Sequence, residues 1–411
     1  MCTPFGYNNT GTQRELHYTS GDSTMPAKRV VLAEYFTTED LTLLFIVRAD
    51  LQEPQVIEIR MPLDEIRKFV AANFSVAEGG SKVRDLDLDE WQARFGPFVE
   101  PILPWTGEGD ILWLVPHDVL HYLPLHALKV EGHYLVERNP VCYTPSASVM
   151  KYCHAKRKPQ RGGGALVLGD SRGDLPFSQI EAQRIAGLLN CHPTLGAAAS
   201  KQMVTDALAD EGQREALDVL HFACHGTFDP DQALKSGIVL AEANDNGTLT
   251  AEEIFGLQMH AELVTLSACE SGVNERRPGD ELIGLTRALI YAGTPSVLVS
   301  LWAVDDLSTG LLMDKFYAGW RGGLGKAEAL QAAQSWLRSL SRDEAVAQVA
   351  AARDAAKPLA RTGGQEADQI RRLWLRLDAE REALLEDCRP DDHPFDQVYH
   401  WAPFVLVGDW K

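Results

Sequence analysis

Two segments carry the residue types most able to do chemistry, HFACHGTFD at 221–229 and VTLSACESG at 264–272. In each, an apolar run delivers one reactive side chain to the point where a strand should stop. DVLHFAC leads to His225-Gly226, and AELVTLSA leads to Cys269. Open α/β sheets gather functional groups outside the carboxyl ends of their strands. Two adjacent parallel strands ending this way would set an imidazole beside a thiol, a cysteine nucleophile with its base.

Alternation along VLHFACHG predicts His221, Ala223 and His225 on one face, with Phe222 and Cys224 on the other. Gly226, having no Cβ, lets a carbonyl approach its backbone N–H closely. A tetrahedral oxyanion needs preorganised donors, and the amides of Gly226 and Cys269 are the natural ones. A neighbouring imidazole would help ionise the thiol and then protonate a leaving amine. Acyl transfer, and so peptide-bond hydrolysis, is the reaction this pair suits.

Other clusters read as structural. A lone cysteine at a buried strand end is more often core, and His221 and Cys224 are taken as core. A zinc site from His221, Cys224, His225 and Cys269 is disfavoured, because Cys224 faces away and no C-x₂₋₄-C spacing exists; no metal or other cofactor is expected. His117, His121 and His126 in VPHDVLHYLPLHAL lie between Pro116 and Pro124 or just beyond, and read as packing or surface groups of a turn. ALVLGDSRGD lacks both common phosphate-loop patterns and reads as a strand-to-helix turn.

The 411 residues carry 58 acidic against 39 basic side chains, a formal net charge of −19. This disfavours nucleic acid, which needs clustered Lys and Arg, and docking on an anionic membrane. The seven scattered cysteines include no C-x-x-C pair and suit a reducing compartment better than a disulfide framework. The start of the chain shows no apolar signal segment, and no run is long enough to span a membrane. A cytoplasmic location is the expectation.

Residues 1–27 read as a flexible tail. RVVLAEYF, LTLLFIVRA and QVIEIR, separated by TTED and LQEP, predict a β-meander. Helical periodicity follows at 62–77 and 86–103, then a strand at ILWLVP and a short strand at 134–137, YLVE. KRKPQRGGG at 156–164 reads as a hinge or loop. Beyond it strands and helices alternate, which predicts a mostly parallel sheet covered on both faces. Residues 341–392 break that alternation as two charged amphipathic helices around a TGG turn, an insertion that leaves the main domain and returns at HWAPFVLVGDW. The expected division is a β-rich supporting lobe at 28–160 and an α/β domain at 161–411.

PHDVLHYLPLHAL, YLVERNPVCYTPSASVM, LVLGD, HFACHG, LTAEEIFGL, LVTLSACESG, ELIGLTRALIYAGTPSVLVSLWAVDD and HWAPFVLVGDW occur in one order. Together they resemble the CHAT family, caspase-like domains often joined to tetratricopeptide repeats and related to caspases and separase. The resemblance covers roughly 28–340 and resumes at 393–411. It implies a caspase-like three-layer α/β/α sandwich with His225 and Cys269 as a catalytic dyad. Their separation of 44 positions is close to the roughly 50 between a caspase histidine and cysteine. By analogy with separase, it implies that the N-terminal half is a supporting or degenerate lobe. It also implies a protein substrate, latency until a regulatory or sensor partner acts, and a setting in bacterial (antiphage) defence or programmed cell death. No tetratricopeptide period is present, and the insertion departs from the family pattern; it is either a solvated hairpin or a docking surface.

In caspase-like folds the loop after the nucleophile and the following strand shape the P1 pocket. Here these supply Asp280, Glu281, Asp305 and Asp306, with Trp302 as an apolar wall. Carboxylates there would select a basic P1 residue, so P1 Asp is disfavoured; helix capping is the other use of such acids. Arg276-Arg277 is a candidate self-cleavage site. The competing reading is a catalytically silent adaptor that keeps the fold for binding, against which the His-Gly and Ala-Cys pairs weigh.

Overall fold

The computed structural model describes residues 29–74, 76–77, 80–158, 163–227, 232–242, 246–267, 281–356 and 365–411. The N-terminal tail expected at 1–27 lies outside them. The meander forms as read: β1 (Val30–Thr37), β2 (Thr42–Arg48) and β3 (Gln55–Ile59) pair antiparallel. The TTED turn closes through Thr38, whose N–H donates to Leu41 O at 2.8 Å. β4 (Val76–Ala77) and β5 (Gly80–Ser81) make a short ribbon, followed by β6 (Ile111–Val115). β7 (Lys129–Val130) and β8 (His133–Tyr134) form a second ribbon, and β9 is Val141–Tyr143. Of YLVE only Tyr134 belongs to a strand: Leu135–Arg138 is one helical turn, closed by Glu137, whose carboxylate accepts from Tyr134 N at 2.8 Å.

The alternating region supplies β10 (Gly164–Gly169), β11 (Pro193–Leu195), β12 (Leu217–Ala223), β13 (His225–Thr227), β14 (Gly237–Val239), β15 (Thr248–Thr250), β16 (Leu263–Leu266), β17 (Ser296–Ser300) and β18 (Phe404–Gly408). One eleven-stranded sheet runs β11-β10-β12-β16-β17-β18-β9-β6-β1-β2-β3. It is mostly parallel; the antiparallel pairs are β17 with β18 and the two of the meander. Sequence pattern tracks position in it. β6, β16 and β18 are buried throughout and, Thr265 apart, apolar, as strands covered on both faces must be, whereas edge strand β3 alternates.

Helices cover both faces. Tyr317, in helix Asp306–Arg321, reaches His221 and Thr265 on one face. Thr286, in helix Glu281–Tyr291, lies with Val299, Val405 and Val407 on the other. Both lobes expected from the sequence therefore share one sheet, and β18 joins them by pairing with β17 on one side and β9 on the other. Trp113 of β6 reinforces the joint, donating its indole N–H to Gly408 O at 3.1 Å. Gly408 sits at φ 102°, where a Cβ would come within 2.2 Å of Pro295 O, so only glycine fits.

Past β18, Asp409 meets a fully buried Lys326, which also contacts Glu262 at 2.6 Å. Burial pushes the Asp409 carboxyl up, but hydrogen bonding to Arg157 and the charge of Lys326 leave it below the usual carboxylate range. The start of the basic linker is thus pinned rather than hinged: Arg157 pairs with Asp409, and Lys158 with Asp218 at 3.4 Å.

The insertion forms helices Arg342–Ala356 and Gln365–Asp387, as expected; the TGG turn lies outside the described residues. The pair is docked rather than merely solvated. Leu373, Leu377 and Leu384 are buried. Arg353 pairs with Asp378 at 3.1 Å, and Arg376 covers the ring of Phe177 in helix Pro176–Leu189 at 5.9 Å. Among the described residues, no helix is long and apolar enough to cross a membrane.

Candidate active site

β12 and β16 lie side by side and parallel, with His221 opposite Thr265 and Phe222 opposite Leu266. The ladder continues one residue further, where Ser267 N donates to Phe222 O at 3.0 Å. Cys269 follows Ser267 by two residues and lies outside the described residues, as do Asp280, Arg276 and Arg277 and the side chain of Glu281. Both strands therefore end at the same edge of the sheet, the edge at which sequence alone expects the two reactive groups.

His225 reaches that edge differently from the simple alternation. β12 stops at Ala223, whose carbonyl accepts from Asp170 N at 3.0 Å, and the chain bends at the buried Cys224. His225 then opens β13, in a separate three-stranded antiparallel sheet with β14 and β15. There it sits opposite Val239, and the half-buried Gly226 sits opposite Ile238. The bend ends the face count at Ala223, so His225 is not in register with His221 on one strand. Burial pushes the Cys224 thiol up to about 12, an inert core group as its apolar setting suggests.

The His225 ring is nearly buried, and its Nε2 lies 2.8 Å from Asp174 Oδ1. A carboxylate can only accept, so Nε2 carries the proton and the basic nitrogen of a neutral ring is Nδ1. Asp174 comes from the turn after β10, the strand beside β12. Asp170 holds that turn at φ 47°, and its carboxylate accepts from Leu175 N and Gln179 Nε2, both at 2.7 Å. Burial raises the Asp170 carboxyl, and those two donors oppose the rise. Ser171 Oγ donates to Val239 O at 2.7 Å, tying the turn to the small sheet that carries His225. Sequence reasoning read ALVLGDSRGD only as a turn and missed Asp174. The signal available was an acidic turn at the carboxyl end of the strand next to β12.

The expected substrate wall divides. Trp302 is 2% exposed, packs on Phe74 with ring centroids 6.1 Å apart, and donates to Tyr399 O at 3.2 Å. It is a core anchor between the two halves and has no face left for a substrate. Asp305 caps helix Asp306–Arg321, accepting from Ser308 N at 2.9 Å. Asp306 is partly exposed and lies 3.7 Å from Arg376 of the insertion. The insertion thus reaches the acids that follow β17.

The second histidine group behaves as packing. His126 is buried, its Nδ1 2.9 Å from the Tyr143 hydroxyl, and burial lowers its pKa to about 3. Burial, with Arg287 and His117 nearby, lowers His121 to about 4. His117 accepts from Thr37 N at 3.2 Å through Nδ1 and lies against Phe36. Among the described residues, no group of three or more His, Cys, Asp and Glu is arranged to hold a metal.

Comparison with known proteins places these features in a family. The chain is 26% identical over 288 residues to tetratricopeptide repeat protein 28 of Homo sapiens and to that of Mus musculus. The match takes in 57% of this chain but only 11% and 12% of those proteins, so the chain spans a small part of their length. Among solved structures, the Arg specific cysteine proteinase gingipain R is similar at a TM-score of 0.41 and 11% identity, covering 84% of this chain and 73% of that one. The Saccharomyces cerevisiae separase–securin complex is similar at 0.47 and 10%, covering 75% and 29%. The CHAT domain family matches residues 91–409, a stretch that includes β12, β16, His225, Cys269 and β18. With more than half of its residues inside that match, this chain belongs to the CHAT domain family.

Proposed function

We propose that the chain is a cysteine endopeptidase in which Cys269 attacks, His225 shuttles the proton and Asp174 orients the imidazole. The observation that carries the reading is the 2.8 Å contact between His225 Nε2 and Asp174, at the edge where β16 leads toward Cys269. With Nε2 held by the carboxylate, Nδ1 takes the thiol proton. The thiolate adds to the scissile carbonyl, and the tetrahedral oxyanion is held by the amides of Gly226 and Cys269. Collapse breaks the C–N bond as imidazolium protonates the leaving amine, giving a thioester. Water, deprotonated by the same imidazole, then releases the acid and restores the thiol. Asp306, with Asp280 and Glu281, favours a basic P1 side chain over Asp. Activity awaits a partner protein, which suits a defence or cell-death setting inside a bacterial cytoplasm.

A peptide carrying a thiol-directed electrophile tests this. Covalent modification should map to Cys269, disappear in Cys269→Ala, fall at least about a hundredfold in His225→Ala, and proceed faster with P1 Arg than with P1 Asp. Absence of labelling with candidate partners present would remove the peptidase. The match to proteins named for tetratricopeptide repeats supports a second reading for that outcome, a CHAT module used as an interaction platform.

A further inference from the structure

Behind the reactive edge, one side chain touches both strands that lead to it. The Tyr317 hydroxyl lies 3.2 Å from His221 Nδ1 and 2.7 Å from Thr265 Oγ1, and all three residues are fully buried. His221 and Thr265 are register partners across β12 and β16. His225 lies four residues beyond His221, and Cys269 lies four beyond Thr265. The bridge therefore joins the strands at equal chain distance from the two reactive positions. Slipping a strand by one residue turns every side chain to the other face, so a hydroxyl bound to both partners resists that slip.

The surroundings keep the hydroxyl a donor. Burial, with Glu181 adding to it, pushes the Tyr317 pKa far up. On the other side of the imidazole, Glu181 Oε1 lies 3.1 Å from His221 Nε2, close but without hydrogen-bond alignment. Arg184 and Asp314 pair at 2.6 Å beside them. Glu181 and Arg184 belong to helix Pro176–Leu189, which begins two residues after Asp174. His225, Cys269 and Asp174 are thus each a short run of chain away from elements that meet at this buried network.

We propose that Tyr317 is a positioning residue for the His225–Cys269 pair, its hydroxyl locking β12 against β16 so that the chain leaves the two strands toward His225 and Cys269 from one fixed register. This rests on the reading of Cys269 as the nucleophile. The consequence is chemical: if the lock is lost, the imidazole no longer stabilises the thiolate, and the thiol titrates nearer its ordinary value.

Alkylation of Cys269 in the full chain by iodoacetamide, followed by mass spectrometry from pH 5 to 10, reads this directly. In the unaltered protein the rate should rise with an inflection well below that of a free thiol. In Tyr317→Phe, which keeps the ring, the inflection should rise by about one unit and labelling at neutral pH should fall about tenfold. Thr265→Val should move it the same way and decides the matter if Tyr317→Phe does not fold. Tyr35→Phe is the control, since its buried hydroxyl donates to Phe98 O at 2.8 Å in the other half of the sheet. It should lower the melting temperature and leave the inflection in place. An unmoved inflection in folded Tyr317→Phe or Thr265→Val, or an equal shift in Tyr35→Phe, overturns the proposal while leaving the nucleophile intact. An ordinary inflection in the unaltered protein with candidate partners present removes the peptidase reading and this inference with it.

Discussion

In the N-terminal half, β6 runs into Pro116 and His117; in the C-terminal half, β12 runs into Cys224 and His225. Both histidines follow a buried apolar strand of the same sheet. His117 is met by a backbone amide, that of Thr37, and by the ring of Phe36. His225 is met by the carboxylate of Asp174 and leaves its strand through a bend. The partner, more than the strand end, distinguishes the two rings. An amide uses up the basic nitrogen; a carboxylate fixes the tautomer and stabilises the cation formed when a proton arrives.

The comparison can be broken first where the halves are joined. Lys326→Met leaves the buried Glu262 without the ammonium that pairs with it and Asp409 with the Arg157 guanidinium but no ammonium, and should cost about 3–5 kcal/mol in denaturant unfolding. If one sheet joins the halves, both should lose stability in a single transition; two separate transitions, with only one moved, would mean that the halves fold independently.

The partner rule is sharpened by paired substitutions. Asp174→Asn should slow labelling of Cys269 about tenfold to a hundredfold, less than a buried triad carboxylate would, because Asp174 is 61% exposed. His117→Ala should leave that rate unchanged. Equal effects of the two would remove the distinction drawn here.

A smaller effect separates the halves by pH. His126 in the N-terminal half has its folded pKa lowered by burial to about 3, below its ordinary 6.5. Its contribution is complete above pH 6.5 and is lost as pH falls toward 3. Asp314 in the C-terminal half is raised by burial to about 7 from an ordinary 3.8, so its contribution is lost as pH rises from 3.8 through 7. Melting temperatures from pH 4 to 9 should therefore lose their acid-side fall in His126→Gln and their neutral-side fall in Asp314→Asn. The same pH profile in both variants would contradict the assignment.

How much of this was legible in the sequence depended on the range of the interaction. The meander and the buried strands β6, β16 and β18 were legible because alternation or continuous apolarity is written locally. YLVE misled because its β-prone residues were outweighed by the Glu137 carboxylate reaching back to Tyr134 N. His225 and Cys269 could be singled out as candidates because the residue after or before each is small and each ends an apolar run. Asp174 could not, because its role depends on β10 lying beside β12. Trp302 reads as a pocket wall because nothing local announces Phe74 and Tyr399, which arrive from distant segments to bury it.

The late position of β18 in the chain has a consequence during synthesis. Its neighbours β9 and β17 are complete long before residues 404–408 emerge, with the charged helical pair still to be made. Until then each half presents a bare strand edge of the kind that recruits other chains. Five residues translated late close both edges at once, so premature termination just upstream of them should yield an aggregating product rather than a shortened, folded chain.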